Sequence, residues 1–278
     1  MTPSRKYIDL ILSACGKWAN WDPAIPIAAV GDFGTIDKKT GRFEKKGNIL
    51  NDERFRNITK GSSVVKPKGT EDPMLVTSKN ARKAELIADA SFDAQVTKVL
   101  FRGSWSFQDE TGAVLILHRP FQTSLSPDID IDALVGHELL RGMCIVRDLI
   151  TCQAYAKYLS SSGGGSLSLS LGVTGALPAG GGGKATWGKS SVSGVFVAGQ
   201  PGEDEGEAYP FTPLFTLKKC KKKSFFGHRG PLEGSVDPLD SLEAVDTPWN
   251  PLDEEGEEKL PRAIPSVQRA SNWESDDE

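Results

Sequence analysis

The densest chemical signal in the chain is cationic. Lys218, Lys219, Lys221, Lys222 and Lys223 crowd around Cys220, and Ser224, Phe225 and Phe226 follow at once. Five ammonium groups this close can stand in water as a solvated face, the ordinary state of a charge run. They can also hold an anionic surface, where each lysine near an acidic leaflet adds roughly 1 kcal/mol. Nucleic acid is the other polyanion to weigh, but no DNA- or RNA-reading signature accompanies the run, so no nucleic-acid partner is expected. Aromatic rings beside bases suit a membrane interface. A second such group lies near the N-terminus, formed by Arg5, Lys6, Lys17, Trp18 and Trp21.

Catalytic chemistry is poorly represented. His137 and Glu138 begin a zinc-protease pattern, but Arg141 stands where the second histidine is needed. The run Gly180 to Lys184 resembles a phosphate loop in composition alone. Pro178 occupies the place of its first glycine, and Ala185 replaces the hydroxyl residue that would bind the metal. The histidines are His118, His137 and His228, and no Gly-x-Ser-x-Gly elbow frames a nucleophile. Cys15, Cys144, Cys152 and Cys220 are scattered without a Cys-x-x-Cys, which reads as free thiols. The chain is therefore expected not to be an enzyme and to need no cofactor or metal.

Charge is divided along the chain. Residues 231–278 hold 14 Asp and Glu against the three bases Lys259, Arg262 and Arg269, a net of −11. Residues 1–230 hold 30 bases and 23 acids, a net of +7. The overall −4 hides a basic body joined to an acidic tail. The tail is rich in proline and acid and is not expected to build a core of its own. Its Trp249, Leu252, Leu260 and Ile264 could dock on the body. The N-terminus lacks the pattern of a secretory signal. The longest clean apolar run, Ala113 to Leu117, is far too short for a membrane helix. The expectation is a soluble, cytosolic chain.

The elements that must position these groups follow from periodicity. Ile8, Ile11, Leu12 and Cys15 place an amphipathic helix over residues 4–15. Gly31 to Ile49 reads as a hairpin turning at Asp37 to Gly41. Asn80 to Ala90 reads as helix and Ser91 to Arg102 as strand, with a turn at Gly103. Ser104 to Phe107 and Ala113 to His118 read as strands around a turn. Asp128 to Leu140 reads as a helix capped by Asp128 or Asp130. Ile145 to Ser161 suits a strand running into a helix, or two strands.

Ser166 to Thr174 alternates strictly, with Leu167, Leu169, Leu171 and Val173 on one face and small polar residues on the other. A glycine-rich turn and Lys184 to Val197, carrying Trp187, Val195 and Val197, complete a hairpin. Such a hairpin serves as the half-buried edge of a soluble sheet. It also has the length and alternation of one hairpin of a membrane β-barrel. The polar face of its first strand, Ser166 to Thr174, lacks the Lys and Glu of an ordinary exposed sheet face, which leans toward the second.

Taken in order, these pieces resemble the gasdermin family in its short microbial form, closest to the gasdermin-like proteins of fungal allorecognition. The resemblance rests on the N-terminal helix, VGDFGTIDKKTGRFEKKGNI (Val30 to Ile49), CQAYAKYLSSSGGGSLSLSLGV (Cys152 to Val173), the strand from Trp187 to Phe196, and YPFTPLFTLKK (Tyr209 to Lys219). It covers about residues 1–223 and lies in their order, not in any one motif. It implies an α+β (mixed α/β) domain, a twisted and mainly antiparallel sheet with surrounding helices. It also implies a body of residues 1–223, a cleavable linker of 224–234 and an inhibitory tail of 235–278.

The implied function is a pore former of regulated, pyroptosis-like cell death, as in heterokaryon incompatibility. An activating protease removes the tail, and the body then binds acidic phospholipids and forms a homo-oligomer, or joins a homologous second subunit. Two hairpins per subunit insert as a β-barrel. The protein would be cytoplasmic when latent and at the plasma membrane when active. Arg5, Lys6, Lys17, Trp18, Trp21, Lys218, Lys219 and Lys221 to Lys223 would contact lipid. One inserting hairpin would be Ser166 to Val197, and the other would lie between about Ile49 and Phe101. Phe225, Phe226, Arg229, Leu232, Leu239 and Asp240 are candidate cleavage positions for proteases of different pockets. Cys15 is the local candidate for lipidation. The competing reading is a peripheral lipid-binding or adaptor protein that never inserts.

Overall fold

The computed structural model describes residues 2–59, 64–66, 69–70, 72–91, 97–107, 111–161, 165–174, 184–191, 193–200, 209–219 and 242–250. It gives backbone alone at 85–91, 97–100, 131–132, 173–174, 184–186 and 191. The first helix, α1, spans Pro3–Cys15. Thr2 caps it, Pro3 sits in the first turn where no N–H is required, and Gly16 closes it at φ 68° with its N–H on the Leu12 carbonyl. Tyr7, Ile8 and Ile11 form its buried face.

The strands in chain order are β1 (Trp18–Ala19), β2 (Asp32–Ile36), β3 (Phe43–Asn48), β4 (Val64–Val65), β5 (Met74–Thr77), β6 (Ala81–Ser91), β7 (Thr97–Phe107) and β8 (Ala113–His118). They continue as β9 (Phe121–Leu125), β10 (Cys144–Cys152), β11 (Ala154–Leu159), β12 (Gly165–Thr174), β13 (Lys184–Ser191), β14 (Val195–Gly199), β15 (Phe211–Lys219) and β16 (Glu243–Ala244). Two further short helices, α2 (Arg56–Thr59) and α3 (Ile131–Gly136), flank single 3₁₀ turns.

These strands form three sheets. The first runs β1-β15-β10-β2-β3, with β16 beside β15 and β9 and β4 branching from β10. The second runs β14-β11-β8-β5, and the third β13-β12-β7-β6. Every described pairing is antiparallel. The second sheet is the middle layer. On β8, Ala113, Leu115 and Leu117 join one apolar cluster with α1 and the first sheet. Val114 and Ile116 join another with the third sheet. Burial on both faces is why this strand reads as an unbroken apolar run. A third cluster fills the far side of the first sheet, around Phe33, Phe55, Leu134 and Ile145.

The expected mixed α/β class is therefore corrected: the described fold is mainly antiparallel β in three sheets. Three segments account for the change. Asn80 to Ala90, rich in helix formers, is β6, paired to β7 from Ala81↔Phe107 to Ser91↔Lys98. Asp128 to Leu140 holds only the six-residue α3, capped by Asp130, and a 3₁₀ turn. Ile145 to Ser161 is two strands, β10 and β11. Propensity yields to tertiary pairing in each case. Gly103, expected as a turn, lies inside β7. The hairpin read at Gly31 to Ile49 is β2–β3.

Candidate functional site: a C-terminal strap over the first helix

The edge of β15 is built from two separate pieces of chain. β1 pairs with it at Trp18↔Phe215 and Ala19↔Leu214. Further along, β16 pairs at Lys218↔Ala244 and Lys219↔Glu243. The strap of residues 242–250 thus continues the sheet edge where β1 stops. Leu242 enters the cluster behind the first sheet, while Val245 and Trp249 enter the main core. A cleft of about 700 Å³ remains between the strap and the body, lined by Asp9, Leu12, Trp18, Thr216 and Lys218 on the body side.

Trp249 is the most heavily engaged strap residue and is 9 % exposed. Its ring meets Trp18 edge-on, with centroids 5.9 Å apart. The Arg5 guanidinium carbon lies 4.7 Å from its ring centroid, within cation–π range. Its indole N–H donates to Asp9 Oδ1 at 3.1 Å. Burial lifts the Asp9 carboxyl above its usual pKa, while the Trp249 hydrogen bond and the Arg5 charge pull the other way. Lys218 Nζ donates to the Leu242 carbonyl at 3.2 Å. The seat therefore combines an apolar socket, a cation and a carboxylate around one indole, which is a geometry specific for tryptophan.

The residues expected to meet lipid divide on this site. Arg5, Lys17 and Lys218 are half-buried around it, with Lys17 Nζ on Thr216 Oγ1 at 3.4 Å. Lys6 is half-buried on α1 and Lys219 is exposed. Trp18, expected as an interfacial anchor, is instead 2 % exposed, because β1 pairing turns its ring into the core beneath Trp249. Trp21 packs edge-on Tyr7, and the Lys157 ammonium lies 3.6 Å from its ring centroid. That ammonium also donates to the Trp21 carbonyl, and burial lowers its pKa to about 8. Cys15 is half-buried, donates to the Lys17 carbonyl at 3.9 Å, and burial raises its thiol pKa. Lys221 to Lys223, Phe225, Phe226, Arg229, Leu232, Leu239, Asp240, Leu252, Leu260 and Ile264 lie outside the described residues.

The alternating segment forms the centre of the third sheet. β12 pairs with β13 from Leu167↔Ser191 to Thr174↔Lys184, and with β7 from Gly165↔Phe107 to Thr174↔Thr97. Two hairpins, β6–β7 and β12–β13, thus lie side by side, and the first of them has a register. Leu167, Leu169 and Leu171 are buried with Phe101, Trp105 and Phe107 against the middle sheet. Ser168, Arg102 and Ser106 are exposed on the other face. Val173 is described by backbone alone. Trp187 is half-buried, and its indole N–H donates to the Gly199 carbonyl at 3.3 Å.

Val195 and Val197 are a correction. They belong to β14 of the middle sheet, opposite Leu159 and Lys157, and not to the hairpin. The chain enters β14 at Gly194, where φ is 126° and any Cβ would stand 2.5 Å from the Leu159 carbonyl oxygen. Only glycine permits that turn. Sequence reasoning did not find Asp9, the partner of Trp249. The available signal was a lone acid one position from the buried face of α1.

No described helix is long and apolar enough to cross a membrane. No protein-family model matches the chain, and no curated protein does. Among solved structures, the chain is similar to the gasdermin A3 membrane pore determined by cryo-electron microscopy. The match has 10 % sequence identity, covers 68 % of this chain and 82 % of that one, and has a TM-score of 0.21.

Proposed function

We propose that the chain is a latent pore-forming protein of the gasdermin kind, held closed by its own C-terminal strap. A protease cuts between body and tail within residues 224–234, and the strap leaves α1 and β15. Arg5, Lys6, Lys17, Lys218, Lys219 and Lys221 to Lys223 then bind acidic phospholipid. Copies associate, with themselves or with a homologous subunit, and the third sheet of each contributes four staves to a β-barrel. The protein moves from cytoplasm to plasma membrane, and the outcome is cell death. No catalytic group is required.

One observation carries this reading. The third sheet consists of two adjacent hairpins whose strands are 11, 11, 10 and 8 residues long, and the described side chains of β7 and β12 divide into one apolar and one polar face. A tilted strand needs roughly 9–11 residues to cross a bilayer core. A barrel strand must alternate between lipid and lumen. Leu167, Leu169, Leu171, Phe101 and Trp105 would face lipid, and Ser168, Ser106 and Arg102 the lumen.

Two lysines favour the second reading, a peripheral acidic-lipid-binding or adaptor protein that never inserts. Lys83 stands opposite Trp105 and Lys189 opposite Leu169 in register, and both are exposed, so charge lies beside the apolar face of β7 and β12. At the rim of a bilayer a lysine can reach the headgroups.

The deciding experiment uses the full chain with an engineered protease site between Gly230 and Pro231, on dye-loaded vesicles. Release from phosphatidylserine-containing vesicles after cutting, and not before, supports the latent pore former. Binding without release selects the peripheral reading. Failure to bind acidic vesicles in either state overturns both.

A further inference from the structure

Trp105 is 1 % exposed, yet its indole N–H has no hydrogen-bond partner. Buried tryptophans ordinarily pair that group, and a stranded donor carries the cost of its lost hydration. The ring folds back along its own strand over Gly103. A Cβ at that position would lie 2.5 Å from Trp105 Cη2 and 3.0 Å from Phe101 Cζ. Phe101 and Trp105 stack with centroids 6.2 Å apart. Val114, Ile116 and Ala156 of the middle sheet belong to the same apolar cluster and offer no acceptor side chain, and the Tyr158 hydroxyl there is engaged with the Ser193 carbonyl. The latent fold therefore accommodates the hydrocarbon of this residue and leaves its polar edge unused.

Building on the pore reading of the two hairpins, we propose that Trp105 is the interfacial anchor of the released sheet. Its indole N–H then meets a hydrogen-bond acceptor at the headgroup level, on the side of the bilayer from which the sheet enters. Its place along β7 fits that level. From Thr97, where β7 begins, to Trp105 is eight residue steps. That is about 27 Å along an extended strand, or about 20 Å along the bilayer normal at the usual barrel tilt. The outward apolar band of such barrels is about 25 Å tall, with aromatic girdles at both rims. Trp105 pairs with Leu167, two residues from the start of β12, so it marks the base of both hairpins. Trp187 differs in both respects. Its N–H is already paired, and it lies opposite Leu171, nearer the middle of the strands.

The test uses the full chain with the engineered protease site, cut on phosphatidylcholine–phosphatidylserine vesicles. Acyl chains brominated near the headgroup or near the methyl end report depth. The emission of Trp105 is the difference between wild type and Trp105→Phe or Trp105→Tyr. Either variant supplies the reference, so a folding failure in one leaves the test standing. The expected result is stronger quenching of that difference by the shallow bromines. Trp105→Phe should slow dye release about fivefold, and Trp105→Tyr, amphipathic like tryptophan, should restore it. A merely structural role predicts the reverse order, since a tyrosine hydroxyl in the dry latent core is worse placed than a phenyl ring. Stronger quenching by deep bromines, or Tyr no better than Phe, overturns the anchor while the pore reading stands. A cut wild-type protein that releases no dye overturns the pore reading itself.

Discussion

The strap and the third sheet are both laid against the body, and they are held in opposite ways. The strap touches through a short segment, and its attachment concentrates on Trp249, with Arg5, Asp9 and Trp18 arranged around one ring. The third sheet is held mainly by a broad apolar face, from Phe101 and Trp105 through Leu167, Leu169 and Leu171, with Trp187 on the Gly199 carbonyl and Lys189 over Phe196 at its β13 edge. The first attachment is specific and depends on a few groups. The second is diffuse and transferable, because an apolar face is equally content against another apolar medium. On the proposed function those two contrasting designs are what a latch and a membrane-seeking surface need.

The largest expected effect lies in the diffuse region. Leu169→Ala should lower global stability by about 2–5 kcal/mol, read as a shifted urea midpoint. Hydrogen exchange of the strap amides should not change beyond that global loss, because distant sites add independently. Equal extra loosening of the strap would break the comparison by making the two regions one cooperative unit.

Trp249→Ala should do the converse. Loss of the buried ring, its cation–π contact and its hydrogen bond should cost about 2–3 kcal/mol of strap docking. The amides of Glu243 and Ala244 should exchange faster, with the urea midpoint of the sheets little moved. On the proposed function the uncut variant should also leak acidic vesicles. Unchanged exchange and unchanged quiescence would show that other tail residues carry the docking.

Asp9→Asn is smaller, at about 1 kcal/mol or less, since the amide oxygen still accepts from Trp249. Its value is in the pH dependence. The Asp9 carboxyl pKa is raised by burial, which outweighs the Trp249 hydrogen bond and the Arg5 charge, so this group's contribution to the stability of the whole fold is largest where it is protonated and falls as pH rises through that pKa. Thermal unfolding across the carboxylate range should show this slope in wild type and lose it in Asp9→Asn.

A last prediction sharpens the boundary between the regions. Lys157 is 3 % exposed on β11, on the side facing Tyr7 and Trp21, and its pKa falls from 10.5 to about 8. In the unfolded chain the lysine keeps its proton to higher pH, so stability should rise as pH increases from about 8 toward 10.5. Lys157→Met should abolish that rise. Thermal unfolding across this range measures it.

How much of this was legible depended on whether the signal was local. The helix α1 was readable because its apolar spacing and its Gly16 stop are contained in the segment itself. β12 was readable because leucine and serine alternate without interruption. β6 was not, because Asn80 to Ala90 is composed of helix formers and its partner β7 alone makes it a strand. Gly103 reads as punctuation until Trp105 is seen lying over it. The run Ala113 to Leu117 announced burial but not that two different cores would claim alternate residues. Trp249 was legible as an apolar residue in an acidic tail. Its acceptor Asp9 lies 240 positions away, and no periodicity connects the two.

The seam between β7 and β12 has a mechanical consequence. Its residues come from distant parts of the chain, yet they are laced from Gly165↔Phe107 to Thr174↔Thr97, with one irregularity near Leu171. The four strands are therefore a single plate, not two independent fingers. A push on either hairpin is delivered through the lacing to the other, and peeling one away means tearing a full-length ladder of backbone bonds. On the proposed function such a plate would swing as one door leaf, both hairpins leaving together.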